Sequence, residues 1–253
     1  MTTPYMILTD DAGNIYNFPP SIFLKGQKIS VNSSIQKLLY AHGGREIADG
    51  YLQARQISLE GTLYADSLSA FETKKRALVQ AILKGGKLSI SNDTVSRYIS
   101  IRLIDYDPDM EYQTFDNVGI SFIAEFPFWE DTTETTQTEI VAGNDSFVVD
   151  TTGSDDLILP IIEVEADQSV DVPSIKMYNY NDGGLAFEYN DPNMFASDIV
   201  IFDSKLGTVK KNGNDSMLYF NPAYFLRLQP GSNTIYYEGA AATIRVKYRK
   251  VYI

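Results

Sequence analysis

DIVIFDSKLGTVKKNGNDSMLYFNPAYFLRLQPGSNTIYY occupies residues 198–237, and its reading decides the fold. Ile199–Phe202 is a run of four apolar side chains closed by Asp203, which reads as a short strand. Asn212-Gly213 separates two strand-like runs and fits a tight hairpin, whose turn requires positive φ. Pro230-Gly231 fits the two central positions of a type II turn, where proline presets φ and glycine tolerates the positive value. Asn233 follows, with a side-chain amide that can satisfy the backbone of that turn. Every feature here specifies a fold, and none of them is nucleophilic, acidic in pairs or metal-ligating.

The same grammar extends outward. GNDSFVVDTTGSDDLILPIIEVEADQSVDVPSIKMYNYNDGG (143–184) alternates between glycine-rich turns. Pro160 and Pro173 each lack a backbone donor, which suits sheet edges or strand starts. With GLAFEYN and AATIRVKYRKVYI, residues 131–253 read as short strands with Gly, Asn and Asp turns and no helix of consequence, a β-sandwich or jelly-roll pattern.

Residues 1–130 read differently. YMILTD, IYNF and IFLKGQKISV are short strands, followed by a loop centred on AHGGREIADG. In YLQARQISLEGTLYA, Ile57 and Leu59 fall on the inward set. SAFETKKRALVQAILKGG has the period of a helix, with Phe71, Leu78 and Ile82 on one stripe and Val79 and Leu83 widening it. Ser69 is the expected N-cap, with Glu72 in the capping-box position, and Gly85-Gly86 the stop. KLSIS, RYISIRLIDYD and NVGISFIAEFPFWED return to strands, with Val118, Ile120, Phe122 and Ala124 on one side. The expectation is a mainly β chain in two domains: 1–130, a sandwich or barrel-like sheet with one packed helix, and 131–253, a β-sandwich. The threonine-rich DTTETTQTEI marks the boundary, unless Thr133, Thr135 and Thr138 belong to an exposed strand. Phe126, Phe128 and Trp129 either close the first core or anchor a contact.

Composition narrows the chemistry. The 253 residues carry a net charge of -12, no cysteine and a single histidine, His42. Residues 1–130 hold 12 basic and 15 acidic side chains, residues 131–253 hold 9 and 18. A surface of that sign repels phosphate backbones, so specific nucleic-acid binding is not expected. No apolar run is long enough to span a bilayer, and MTTPYMILTDDAG has neither the basic start nor the apolar core of a signal peptide, so membrane insertion and export are not expected. His42, beside Arg45, Glu46 and Asp49, is a lone loop histidine and reads as polar surface. Asp105, Asp107, Asp109 and Glu111 alternate as in a calcium loop. The glycine and glutamate such a loop requires are Met110 and Asp116 here, so an acidic hairpin tip is expected. GGREIADG and KGGKLS match no phosphate-binding fingerprint. No catalytic, cofactor or metal residue is assigned.

The order of these features resembles the distal tail protein (Dit) family of long-tailed bacteriophages. The likeness rests on GYLQARQISLEGTLYAD with its L-x-G-x-L, on SAFETKKRALVQAILKGGKLSI, on RYISIRLIDYD through VGISFIAEFPFWED, and most of all on Asp203, Asn212, Gly213, Leu228, Pro230, Gly231 and Asn233. The resemblance implies a galectin-like second sandwich and a non-enzymatic virion protein without cofactors, assembled in the host cytoplasm. It implies a homohexameric ring of first domains that joins the tail tube to the tip or baseplate hub and lets DNA pass. Receptor-binding or side-fibre proteins would attach to the outward second domains. The alternative is a carbohydrate-binding adhesion sandwich, with Trp129, Tyr178, Tyr180, Tyr189 and Tyr237 as stacking platforms.

Overall fold

In a computed structural model the chain divides into two compact units, Met1–Trp129 and Glu130–Ile253. The structure describes residues 5–37, 44–91, 95–112, 114–168, 171–183, 186–222 and 225–253; side chains are described outside 29–53, 109–112, 186 and 222.

The first unit contains β1 (Tyr5–Thr9), β2 (Ile15–Asn17), β3 (Ile22–Lys37), β4 (Gly44–Tyr64), helix α1 (Leu68–Lys84), β5 (Gly86–Ser91), β6 (Ser96–Tyr112) and β7 (Phe115–Ala124). They form one antiparallel path, β2-β1-β5-β6-β7-β4-β3. The long strand β6 serves both halves: up to Ile101 it pairs with β5, and from Arg102 it pairs with β7. The expected alternation holds. Ile57 and Leu59 on β4 and Val118, Ile120, Phe122 and Ala124 on β7 are buried. Helix α1 packs against β2, β4 and β6 and adds Phe71, Leu78 and Ile82 to an otherwise largely aliphatic core.

Three expectations need correction. The helix begins two residues earlier than the capping-box pattern suggests. Ser67 is its N-cap and accepts a hydrogen bond from the Ala70 amide at 3.3 Å, so Ser69 and Glu72 lie inside the first turns. The apolar stripe is narrower as well, since Leu83 is 67% exposed. The loop expected around AHGGREIADG is strand from Gly44 onward: Lys37 pairs with Gly44, Gln36 with Arg45 and Ser33 with Ala48. Gly44 joins a ladder instead of breaking it, and three register shifts along the hairpin absorb the irregularity. Gly85-Gly86 ends α1 as expected. A Cβ on Gly86 would lie 2.2 Å from the Thr9 carbonyl oxygen, so only glycine lets β5 start against β1.

β8 (Trp129–Asp131) carries the chain from one unit to the next. The second unit then contains β9 (Thr135–Val141), β10 (Asp145–Asp150), β11 (Ile161–Ala166), β12 (Ser174–Asn179), β13 (Ala186–Asn190), β14 (Ile199–Asp203), β15 (Thr208–Lys211), β16 (Asn214–Asp215), β17 (Phe220–Pro222), β18 (Ser232–Glu238), β19 (Ala242–Tyr248) and β20 (Val251–Tyr252). Two antiparallel sheets result, β10-β18-β12-β13-β17 and β16-β15-β14-β11-β19-β9. They pack face to face through aromatic rings. Phe187 of the first sheet lies 4.7 Å from Phe202 of the second, and Tyr189 and Phe220 close around the pair. Of the threonine-rich stretch, Thr135 and Thr138 lie on an edge strand, β9, paired on one side with β19, and Thr133 precedes it. Pro160 and Pro173 stand immediately before β11 and β12, where a missing amide costs no ladder bond.

The opening stretch behaves as its residues require. Lys211 pairs with Asn214 across the two-residue turn, in which Asn212 and Gly213 take φ of 48° and 82°. Gly231 has φ 98°. Asn233, fully buried, is the hub of its turn. Its Oδ1 accepts from the Gln229 amide at 2.7 Å and from Asn179 Nδ2 at 2.8 Å. Its Nδ2 donates to the carbonyls of Gln229 at 2.8 Å and Gly231 at 3.1 Å.

Candidate functional site

The chemistry considered from sequence does not assemble. His42 lies outside the described residues, as do the side chains of Arg45, Glu46 and Asp49. Asp105 and Asp107 are exposed on strand β6, opposite Ser121 and Gly119 of β7, in an extended ladder that lacks the curvature of an ion-binding loop. The side chains of Asp109 and Glu111 lie outside the described ones. Among the described residues no group of three or more acidic or histidine side chains could hold a metal ion. A hollow of about 220 Å³ beside α1 is lined by Leu8, Ile15, Tyr16, Ala77 and Ala81; its charged members, Asp10 and Lys84, pair with each other at 2.9 Å.

The buried polar groups are structural in the second unit. Asp191 receives the ammonium of Lys211, the Asn193 amide at 2.9 Å and the Tyr189 hydroxyl at 3.2 Å. Burial works to raise its pKa, and these donors, led by Lys211, outweigh it and hold the carboxyl below its ordinary range. The Tyr189 hydroxyl also bonds Ser216 at 2.8 Å, and desolvation pushes its phenol up to about 12. Glu163 is held low in the same way: burial opposes, and hydrogen bonds from Lys247 and Arg245 prevail.

In the first unit Arg55 is one exception. It lies on the inward set of β4, 1% exposed, and gives NH1 to Gln27 Oε1 at 2.7 Å. Its Nε and NH2 have no partner, and burial lowers its pKa. The Trp129 indole donates to the same Gln27 oxygen at 2.9 Å, so the tryptophan closes the first core. Phe126 and Phe128 meet edge to face at 5.1 Å.

The aromatic residues named as stacking platforms split into two groups. Trp129, Tyr189 and Tyr237 are buried and unable to stack on a ligand. The Tyr237 hydroxyl donates to the Ala240 carbonyl at 2.8 Å, and burial pushes its phenol up to about 12. Tyr178 and Tyr180 do reach the surface, where they join Tyr236, a residue that the sequence reading passed over. Its strand alternates, and counting outward from buried Ile235 would have found it.

Comparison with known proteins identifies the scaffold. Residues 153–252 match the family model described as siphovirus-type tail component, C-terminal domain. The match places residues 153–252 in that family. The crystal structure of the SPP1 Dit protein, described as a paradigm of the hub adsorption apparatus of phages that infect Gram-positive bacteria, is similar over 100% of both chains at 15% identity, with a TM-score of 0.69. A chain of the phage p2 baseplate in its activated conformation with calcium covers 98% of both at 13% identity and a TM-score of 0.50. The same baseplate with strontium gives 97% of this chain, 98% of that one, 10% identity and 0.51. At these identities the likeness is one of fold. No curated protein matches in sequence. The mainly β architecture, with one helix and several antiparallel sheets, is that of Dit-family proteins.

Proposed function

We propose that this chain is a Dit-type structural connector of a phage tail. Copies of its first unit join head to tail in a six-membered ring between the tail tube and the tip or baseplate hub. DNA passes through the ring. The second unit faces outward and offers its surface to receptor-binding or side-fibre proteins. The protein is made and assembled in the host cytoplasm. The observation that carries this reading is the likeness of the whole chain, both units in the same order, to SPP1 Dit.

The first unit suits a head-to-tail contact, which needs two unlike faces that fit each other. Its strand path ends in unlike edges: β2, of three residues, and β3, of sixteen. Each presents unpaired backbone groups and an exposed apolar side chain, Ile15 on β2 and Phe23 on β3. Edge-to-edge pairing would satisfy both. The first unit's mild charge allows nucleic acid to slide without being gripped. Arg55 is buried and faces no channel, whereas Lys87 is exposed over the Tyr98 ring, 4.9 Å from its centroid.

Native mass spectrometry and negative-stain imaging test the ring. The full chain is expected to give hexamers with a central opening, and the chain cut after Glu130 to keep them. A folded first unit that stays monomeric at every concentration would refute the assignment of the interface.

A further inference from the structure

The outer face of the sheet β10-β18-β12-β13-β17 carries a row of rings that the core does not use. In β12 and β18 the inward positions are Ile175, Met177, Asn179, Asn233, Ile235 and Tyr237. Lys176, Tyr178, Thr234, Tyr236 and Glu238 therefore point the other way. The register sets Tyr178 opposite Tyr236 and Lys176 opposite Glu238. The two tyrosine rings stack 4.9 Å apart and within 8° of parallel. Immediately after β12 the chain turns and brings Tyr180, 70% exposed, to 6.5 Å from Tyr236.

That turn is fixed on both sides. Asn181 Oδ1 accepts from the Thr234 amide at 2.9 Å. Asp182 is held by Arg227 at 2.8 and 3.1 Å and by Gln229 at 2.8 Å. The exposed ring is thus carried on rigid backbone, and a ligand meets a surface that is already ordered. Next to the aromatic row runs a polar one: Lys176 pairs with Glu238 at 3.3 Å and stands opposite Glu188 in the register.

We propose that this face is a binding site for a neutral saccharide. A pyranose ring has one face of polarised C–H bonds that stacks on an aromatic ring, and a rim of hydroxyls that need donors and acceptors. Tyr180 supplies the free ring, and the stacked pair Tyr178–Tyr236 forms a wall beside it. The phenols, Lys176 and Glu238 supply the hydrogen bonds. Charge selects among sugars. The polar row holds two carboxylates against one ammonium, in a half-chain with twice as many acidic as basic side chains, so phosphate- or uronate-bearing polymers are repelled. Chemistry also selects against a protein partner, because the described aliphatic side chain exposed on this face is Val148, at its edge strand.

Saturation-transfer NMR and calorimetry on the full chain test the site, with a tetramer of N-acetylglucosamine, maltotetraose, a neutral rhamnose oligosaccharide and glycerol-phosphate teichoic acid as probes. At least one neutral probe is expected to bind through its ring protons. Tyr180→Ala and Tyr236→Ala are expected to weaken it by about tenfold, while Leu218→Ala, an exposed residue elsewhere in the second unit, leaves it unchanged. Tyr180→Ala should melt as the parent does, so that lost binding is not lost folding. Binding of none of the neutral probes, binding of teichoic acid alone, or full affinity in Tyr180→Ala would each overturn the proposal. None of these results depends on ring formation.

Discussion

The two units solve the same problem, burying one face of antiparallel sheets, with different materials. The first has a mostly aliphatic core and leaves several buried polar atoms without partners: Nε and NH2 of Arg55, the Tyr106 hydroxyl and Oδ1 of Asp116, whose other oxygen takes Lys75 at 2.8 Å. The second gathers Phe187, Tyr189, Phe202 and Phe220 into one ring cluster between its sheets, and among its described residues only the Ser204 hydroxyl is left so. Its turns are closed by aspartates. Asp150, Asp171, Asp191, Asp198, Asp203 and Asp215 each accept at least one backbone amide. In the first unit Asp10 does this for Ala12 and Asn14. The acidity of the second unit is therefore largely the chemistry of its loops, not the signature of a basic partner. Orphaned buried polar atoms are costly, so the first unit carries a penalty that the second largely escapes.

The largest break in this contrast should come from Phe202→Ala. It empties the centre of the aromatic cluster and should cost about 3–5 kcal/mol, read as an early unfolding step of the second unit in a denaturant titration. Asn233→Ala should cost about 2–3 kcal/mol in the same experiment, because the buried groups of Gln229, Gly231 and Asn179 lose their shared partner. Acid should act in the same direction. Asp191, Glu163 and Asp150 have folded pKa values below their ordinary ones, so their contribution is complete above about pH 5 and is lost as pH falls through the folded values. Near-ultraviolet circular dichroism should show the second unit loosening as pH falls through those values. The smallest effect is expected from Arg55→Met. Replacing a buried charge with unpartnered donors by an apolar side chain should leave the monomer as stable or slightly more so. A marked loss of stability would show that the guanidinium is part of a finished core, and would weaken the contrast.

Much of this was legible in the sequence. The alternation of β4 and β7, the glycine stop of α1, the Asn212-Gly213 hairpin and the role of Asn233 all follow from local patterns whose physics is short-ranged. What misled was also local. Ser69 looks like a cap because Glu72 follows at the right spacing, yet Ser67 holds the position, with its hydroxyl taking the Ala70 amide. Gly44 and its neighbours read as loop because partners such as Lys37 for Gly44 and Ser33 for Ala48 leave no trace in composition. The candidate surface was half visible. Tyr178 and Tyr180 stood among tyrosines of equal appearance, and only the register with β18 separated them from buried Tyr189 and Tyr237 and brought in Tyr236.

The hairpin at Asn212-Gly213 has a further consequence, for ageing. An asparagine followed by glycine is the pair most prone to spontaneous loss of ammonia through a cyclic imide. Here the amide is restrained: its Nδ2 donates to Asp198 at 2.7 Å and its Oδ1 accepts from the Ile199 amide at 2.9 Å. Conversion to aspartate would set a second carboxylate against Asp198. The same two bonds that hold the corner thus slow its ageing, and any copy that converts carries a weakened bend where its most diagnostic stretch folds back on itself.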